Sequence, residues 1–153
     1  MLFQIHQIYY TVSKNLSIQE VILLLFSIII VLCNRRKYPC IPPLYSVFLI
    51  LYITLLRRAP GFNESICFKL KLRPNVVVWA GNLLNLVLYV PYGVTSWQWK
   101  REGKKVVAVG LALSVSCEVL QYLTGRGMAD VNDVLFNTLG AAVGGISAKV
   151  YSK

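Results

Sequence analysis

Residues 118–144 are Glu-Val-Leu-Gln-Tyr-Leu-Thr-Gly-Arg-Gly-Met-Ala-Asp-Val-Asn-Asp-Val-Leu-Phe-Asn-Thr-Leu-Gly-Ala-Ala-Val-Gly. This stretch holds three of the six carboxylates of the chain, Glu118, Asp130 and Asp133, and each is flanked by apolar residues. An ionisable side chain inside an apolar span is costly, so it is a candidate functional group by default. The stretch therefore predicts a site.

The spacing of the polar residues in this stretch predicts two helices joined by a turn. Glu118 and Gln121 are three residues apart and share one helix face. After the Gly-Arg-Gly turn, residues spaced three, four, three and four apart draw one stripe along a second helix: Asp130, Asp133, Asn137, Gly140 and Gly144.

Composition indicates an integral membrane protein in a single domain, residues 1–153. Of its residues, 56% are hydrophobic and only 14% are charged, whereas a soluble domain carries about 25% charged residues. The net charge of +10 could indicate nucleic acid, but the basic residues fall in short clusters between apolar runs. That distribution is typical of membrane topology and of contact with anionic headgroups, so no nucleic-acid partner is expected.

Five apolar runs predict an all-α fold, a polytopic integral membrane helix bundle with about five transmembrane helices. They cover about residues 16–33, 38–56, 75–97, 106–124 and 131–151. Pro91 lies inside the third run and predicts a kink there. The basic residues are more numerous on the side that would hold the C-terminus, which favours a cell-membrane orientation with the N-terminus outside and the C-terminus cytoplasmic.

Alternation of the spans brings the polar residues of four helices to the same half of the bundle. The second and fourth spans end on the side where the third and fifth begin. The candidate ligand-binding residues on that side are Arg57, Arg58, Asn85, Glu118, Gln121, Arg126, Asp130, Asp133 and Asn137. No cofactor and no resident metal are expected, since the four cysteines show no metal-ligand spacing.

A purely structural role explains several of these residues. Asparagine and glutamine in spans often form interhelical hydrogen bonds, and glycines at this spacing allow close helix packing. Asp130 could cap the fifth helix. Glu118 is harder to explain, because it lies near the C-terminus of its helix, which disfavours an anion. Its expected partners are Arg57, Arg58 and Arg126.

Several motifs resemble those of the VanZ-like membrane proteins. They are Asn-Leu-Val-Leu-Tyr-Val-Pro-Tyr-Gly at residues 85–93, Glu118 with Gln121, and then Asp130, Asp133, Asn137 and Gly140. The resemblance covers about residues 45–146. It implies a small multi-pass bacterial membrane protein, and some relatives are associated with resistance to teicoplanin-type glycopeptide antibiotics. The family has no established molecular activity, so the resemblance supplies no mechanism.

Two hypotheses for the function remain open. In the first, the protein is not an enzyme and binds an anionic lipid-linked component of the cell envelope, or the glycopeptide itself, at a polar pocket near the outer face. The alternative is a membrane-embedded hydrolase or transferase that acts on a lipid headgroup through Glu118, Asp130 and Asp133. A transporter is disfavoured, because 153 residues provide few spans. The oligomeric state cannot be deduced.

Overall fold

The computed structural model describes residues 21–23, 25, 26, 29, 38–56, 66–70 and 75–152. The described positions between 21 and 29 are helical. Most of the first predicted span lies outside the described residues, as do Arg57 and Arg58.

Four helices and a two-residue pairing of strands make up the remaining described structure. Helix α1 covers Ile41–Leu51 and continues as a π-helical turn over Tyr52–Leu56. Helices α2, α3 and α4 cover Val76–Lys100, Gly103–Leu123 and Val131–Tyr151. Strands β1 (Ile66–Cys67) and β2 (Ala129–Asp130) pair in parallel, with Ile66 opposite Ala129 and Cys67 opposite Asp130.

Local sequence explains where these helices begin and end. Pro42 and Pro43 occupy the first turn of α1, where the missing N–H groups would have no helical partner. Asn75 caps α2 by accepting from the N–H groups of Val77 and Val78. Helix α2 runs without interruption through Pro91 to Lys100, and the kink at Pro91 stays a prediction.

The most extensive packing in the fold joins α2 to α4, and glycine makes it possible. A Cβ added to Gly140 or Gly144 on α4 would overlap the carbonyl oxygen of Leu86 or Val90 on α2. A Cβ on Gly93 of α2 would likewise overlap the Ala141 carbonyl oxygen of α4. Backbone therefore lies against backbone on both helices, the close contact that the glycine spacing predicts.

The order of these contacts shows that α2 and α4 run parallel. Trp79 packs edge-on against Phe136 near the two N-termini, with ring centroids 5.9 Å apart, while Gly93 meets Ala141 and Gly145 further along. Helix α3 runs antiparallel to α2 and α4 and packs on α4. Helix α1 packs on α2. The buried core centres on Ile50, Tyr89, Tyr92, Trp97, Cys117 and Ala141.

Two of the described helices, α2 and α3, are long and apolar enough to cross a membrane, and Ile41–Leu56 is a shorter apolar helix. Helix α4 has 21 residues but is not among them. Its first turns carry Asn132, Asp133 and Asn137, and its glycines add little hydropathy. The fold is mostly helical, as predicted, and the expected total of about five spans stays a prediction.

Candidate functional site

The C-terminal end of α1 receives two long polar side chains from the end of α3. Gln121 donates through Nε2 to the carbonyl oxygen of Thr54, at 2.9 Å. Arg126, in the turn after α3, donates through Nη1 to the carbonyl oxygen of Leu55, at 2.7 Å. The last carbonyls of a helix have no partner within it, and a cation is favoured there. Both side chains therefore complete the end of α1.

The N-terminal end of α4 is completed by two carboxylates. Asp130 is the N-cap residue, and its Oδ1 accepts from the backbone N–H of Asn132, at 3.0 Å. Glu118 reaches across from α3, where its Oε2 accepts from the backbone N–H of Asp130, at 2.9 Å. The capping interpretation of Asp130 is confirmed, and the carboxylate of Glu118 also belongs to this helix end.

This position changes the electrostatic argument about Glu118, which is only 6% exposed. Within its own helix it lies near the C-terminus, an unfavourable place for an anion. Its carboxylate, however, touches the start of α4, where the unpaired N–H groups of the helix favour negative charge. Two of the arginines expected to pair with Glu118, Arg57 and Arg58, lie outside the described residues, so that pairing stays a prediction beside this hydrogen bond to the backbone.

The described part of the loop before α2 lies beside the same helix end. Strand β1 pairs with β2 immediately before α4. Asn132 donates through Nδ2 to the carbonyl oxygen of Lys69, at 3.4 Å. The exposed Lys69 therefore lies beside Glu118, Gln121, Arg126 and Asp130. We call these four residues the helix-end cluster.

Three further predicted residues lie at the same end of the bundle in different settings. Asp133 is half-buried in the first turn of α4. Asn137 is buried and donates through Nδ2 to Ser114 Oγ, at 2.9 Å. Asn85, on α2, is half-buried, and its side chain makes no hydrogen bond to the residues that the structure describes. The alternation argument thus brought the right helix ends together.

Three buried polar atoms lack a hydrogen-bond partner in the described part of the chain. They are Asn82 Nδ2, Asn137 Oδ1 and the Tyr89 hydroxyl, which lies beside Ser114 and Cys117 without a well-formed hydrogen bond. Turning the Asn137 amide over would only move the deficit to its nitrogen. Leaving such a group unpaired costs about 1–3 kcal/mol. Nearly all buried polar groups in proteins are paired, so these three require a reason.

Sequence reasoning missed part of this arrangement, although a signal was present. Asn82, Asn85 and Tyr89 are spaced three and four apart, so they share one face of α2. Ser114 lies four residues before Glu118 and on the same face of α3. Asn85 was predicted from the sequence, and extending the helical stripes from it and from Glu118 would also have found Tyr89 and Ser114. No local sequence pattern indicates that the carbonyls of Thr54 and Leu55 accept hydrogen bonds from the end of α3 and the turn after it.

The chain matches a known protein family over nearly its whole length. A sequence profile described as VanZ/LLP1 matches residues 4–152. The chain belongs to the VanZ/LLP1 family. Searches of curated proteins and of solved structures find no match. Family membership confirms the resemblance based on residues 85–93 and on the motifs after Glu118.

Within this VanZ/LLP1 chain, the motif residues are occupied mainly with the protein's own backbone. Glu118, Gln121, Arg126 and Asp130 each bond to a main-chain group at a helix end. Among the described residues, no three histidine, cysteine, aspartate or glutamate side chains are placed to hold a metal ion. The buried polar atoms without a partner in the described part of the chain lie on the neighbouring face of α2 and on Asn137.

Proposed function

We propose that this protein is a multi-pass membrane protein that binds an anionic lipid-linked component of the cell envelope, or a glycopeptide, at the helix-end cluster. Binding would associate it with resistance to teicoplanin-type antibiotics. We further propose about five spans, with the N-terminus outside and the C-terminus cytoplasmic, so that the cluster opens toward the outer face.

The observation that carries this proposal is the set of polar groups without partners next to the cluster. Asn82 and Tyr89 lie on one face of α2 with Asn85 between them, and Asn137 lies on the neighbouring helix α4. Amides and a hydroxyl can donate to and accept from sugar hydroxyl groups and phosphate oxygens. A ligand of that kind would supply the hydrogen bonds that the bundle leaves unmade.

Charge around the cluster suits an anion. Lys69 is exposed beside the cluster, and Arg57 and Arg58 follow the end of α1 in the sequence. Arg126 uses Nη1 for the Leu55 carbonyl, but a guanidinium has five N–H donors, so its other donors can serve a ligand. Arginine can bind a phosphate with two parallel hydrogen bonds.

The test replaces asparagine by leucine, which has a similar size and cannot hydrogen-bond. Asn82→Leu should keep or raise thermal stability, because it removes an unpaired buried donor. Asn85→Leu should fold normally. Both should weaken binding of a labelled lipid-linked cell-wall precursor or of teicoplanin to purified protein, and should change the teicoplanin susceptibility of cells that express them.

A control variant tests whether such changes are specific. Ser116→Ala removes an exposed hydroxyl that bonds only the Ala112 carbonyl within α3. This variant should leave binding and susceptibility unchanged. If both leucine variants bind each ligand as the unmodified protein does, the proposed site is wrong, and solvent accounts for the unpaired atoms.

The alternative, a hydrolase or transferase acting through Glu118, Asp130 and Asp133, gains no specific support from the geometry. Glu118 and Asp130 are hydrogen-bonded to main-chain N–H groups at the start of α4. This is the geometry of helix capping, in which carboxylate oxygens accept from N–H groups that the helix leaves unpaired. We therefore propose binding.

A further inference from the structure

The turn between α2 and α3 forms a basic surface at the opposite end of the bundle from the helix-end cluster. Lys100, Arg101, Lys104 and Lys105 are all exposed there. The single acid, Glu102, forms an ion pair with Lys105. Three cations thus remain without an acidic partner among the described residues, and we call them, with the turn that carries them, the basic turn.

The backbone at the basic turn offers several hydrogen-bond donors. Glu102 is the N-cap residue of α3, a helix of 21 residues, but its side chain makes no capping hydrogen bond. The first N–H groups of α3, at Gly103, Lys104 and Lys105, therefore point out of the helix without a cap. The start of a helix attracts anions through these groups and through the helix dipole.

The indole of Trp97 supplies a further donor at the basic turn. Trp97 is 7% exposed, and its Nε1 lies 3.9 Å from the position of a Cβ on Gly103. This nitrogen makes no hydrogen bond within the part of the chain that the structure describes, and it is not among the buried unpaired atoms. Its N–H is therefore open to a ligand beside the first residue of α3.

Arg101 adopts a backbone conformation that glycine would adopt more easily. Its φ is 55°, the only positive φ among the described residues other than glycine. Its guanidinium carbon lies 5.7 Å from the centre of the Trp97 ring. A strained backbone that persists with a bulky residue points to a role for that residue. The strain holds a cation above the indole that borders the start of α3.

The surroundings of the basic turn are those of a membrane surface. Trp99 is 40% exposed, and the ammonium group of Lys100 lies 4.1 Å from the centre of its ring. Helices α2 and α3, which meet here, are both long and apolar enough to cross a membrane. Tryptophan is enriched at the interface of a bilayer, and nearby lysine and arginine attract anionic lipids.

We propose that the basic turn binds the phosphate of an anionic phospholipid headgroup. Arg101, Lys100 and Lys104 provide the charge, the first N–H groups of α3 and the indole N–H of Trp97 provide the hydrogen bonds, and Trp99 lies against the lipid. This site is separate from the proposed ligand site and does not depend on it. A bilayer fits better than a nucleic acid, because exposed apolar side chains such as Val109 and Leu111 follow the turn in the first half of α3.

Native mass spectrometry of protein released from detergent tests this proposal, with phosphatidylglycerol and phosphatidylcholine offered in equal amounts. Preferential retention of phosphatidylglycerol is expected. Each removed cation should lower that preference about fivefold, so the triple variant Lys100→Gln, Arg101→Gln, Lys104→Gln should abolish it. The double variant Glu102→Gln, Lys105→Gln removes an ion pair of no net charge from the same turn and should leave the preference unchanged.

Arg101→Gly separates lipid binding from folding. Glycine relieves the positive φ while it removes the charge, so thermal stability should rise even though phosphatidylglycerol retention falls. Equal retention of the two lipids by the unmodified protein would overturn the proposal. So would equal losses for the Glu102→Gln, Lys105→Gln double variant and the triple variant. Protection from thermal unfolding by inorganic phosphate or by an oligonucleotide, but not by phosphatidylglycerol, would assign the basic turn to another anion.

Discussion

The two ends of the bundle use their charged and polar residues in opposite ways. At the helix-end cluster, Glu118 is buried and Gln121 and Arg126 are directed at backbone carbonyls. At the basic turn, Lys100 and Lys104 are exposed, and the helix start beside them lacks a side-chain cap. Polar groups at the first end hold helices together, whereas the second end keeps its donors and cations available. Charged residues in an apolar chain can therefore stabilise the packing of helices at one end and remain available to a ligand at the other.

The largest effect is expected where the register of α4 against α2 is fixed. Gly144→Ala would place a Cβ on the Val90 carbonyl oxygen and should destabilise the protein by about 3 kcal/mol. Gly145→Ala, one residue later, meets atoms only at 3.9 Å and should be tolerated. Membrane yield and thermal unfolding in detergent would measure both. Equal behaviour of the two variants would contradict the α2–α4 packing.

Two glutamates compare the two ends directly. Glu118→Gln removes a buried charge from the start of α4 while it keeps a hydrogen-bond acceptor, and we expect a loss of about 1–2 kcal/mol. Glu102→Gln removes an exposed charge paired with an exposed lysine and should change stability by less than about 0.5 kcal/mol. Thermal unfolding at low ionic strength would compare them. A silent Glu118→Gln would show that its negative charge does not stabilise α4.

Two glutamines make the same comparison with a neutral side chain. Gln121→Leu leaves the Thr54 carbonyl without its donor, at a cost of about 1 kcal/mol. Gln98, near the end of α2, is half-buried and bonds to none of the described residues. Gln98→Leu should therefore be neutral or slightly stabilising in the same unfolding experiment. A larger loss for Gln98→Leu than for Gln121→Leu would reverse the assignment of the structural end.

The smallest effect is expected at Arg101, and its sign is opposite. Arg101→Gly relieves about 1–2 kcal/mol of backbone strain but loses about 0.5–1 kcal/mol through the greater freedom of the unfolded chain. The net gain should be below about 1 kcal/mol. Arg101→Ala removes the same charge but keeps the strain, so it should not show that gain. Equal stability of the two variants would show that the backbone of residue 101 is not strained by a positive φ.

The sequence predicted the helices well where periodicity and turns agree. The run predicted over 131–151 coincides with α4, and the runs over 75–97 and 106–124 correspond to α2 and α3 with shifts of three residues or fewer at their ends. The glycine spacing also predicted the close contact of α4. These features depend on local patterns of apolar, small and capping residues.

The partners of the site residues could not be predicted in the same way. Gln121 and Arg126 bond to carbonyls that lie 67 and 71 residues earlier in the chain, and a carbonyl carries no sequence identity. For the same reason, the sequence did not identify the backbone N–H of Asp130 as a partner of Glu118. Chain alternation predicted which helix ends meet, but not which backbone groups they expose to one another.

The end of α1 also has a consequence for how the protein is made. Synthesis proceeds from the N-terminus, so the carbonyls of Thr54 and Leu55 emerge long before Gln121 and Arg126, the residues that complete them. Until α3 and the turn after it are in place, these two carbonyls lack the partners that they have in the folded protein. The same turn leads into α4, whose glycines pack on α2, a helix that is synthesised earlier. The last third of the chain to be translated is therefore the part that commits the first two-thirds to their final arrangement.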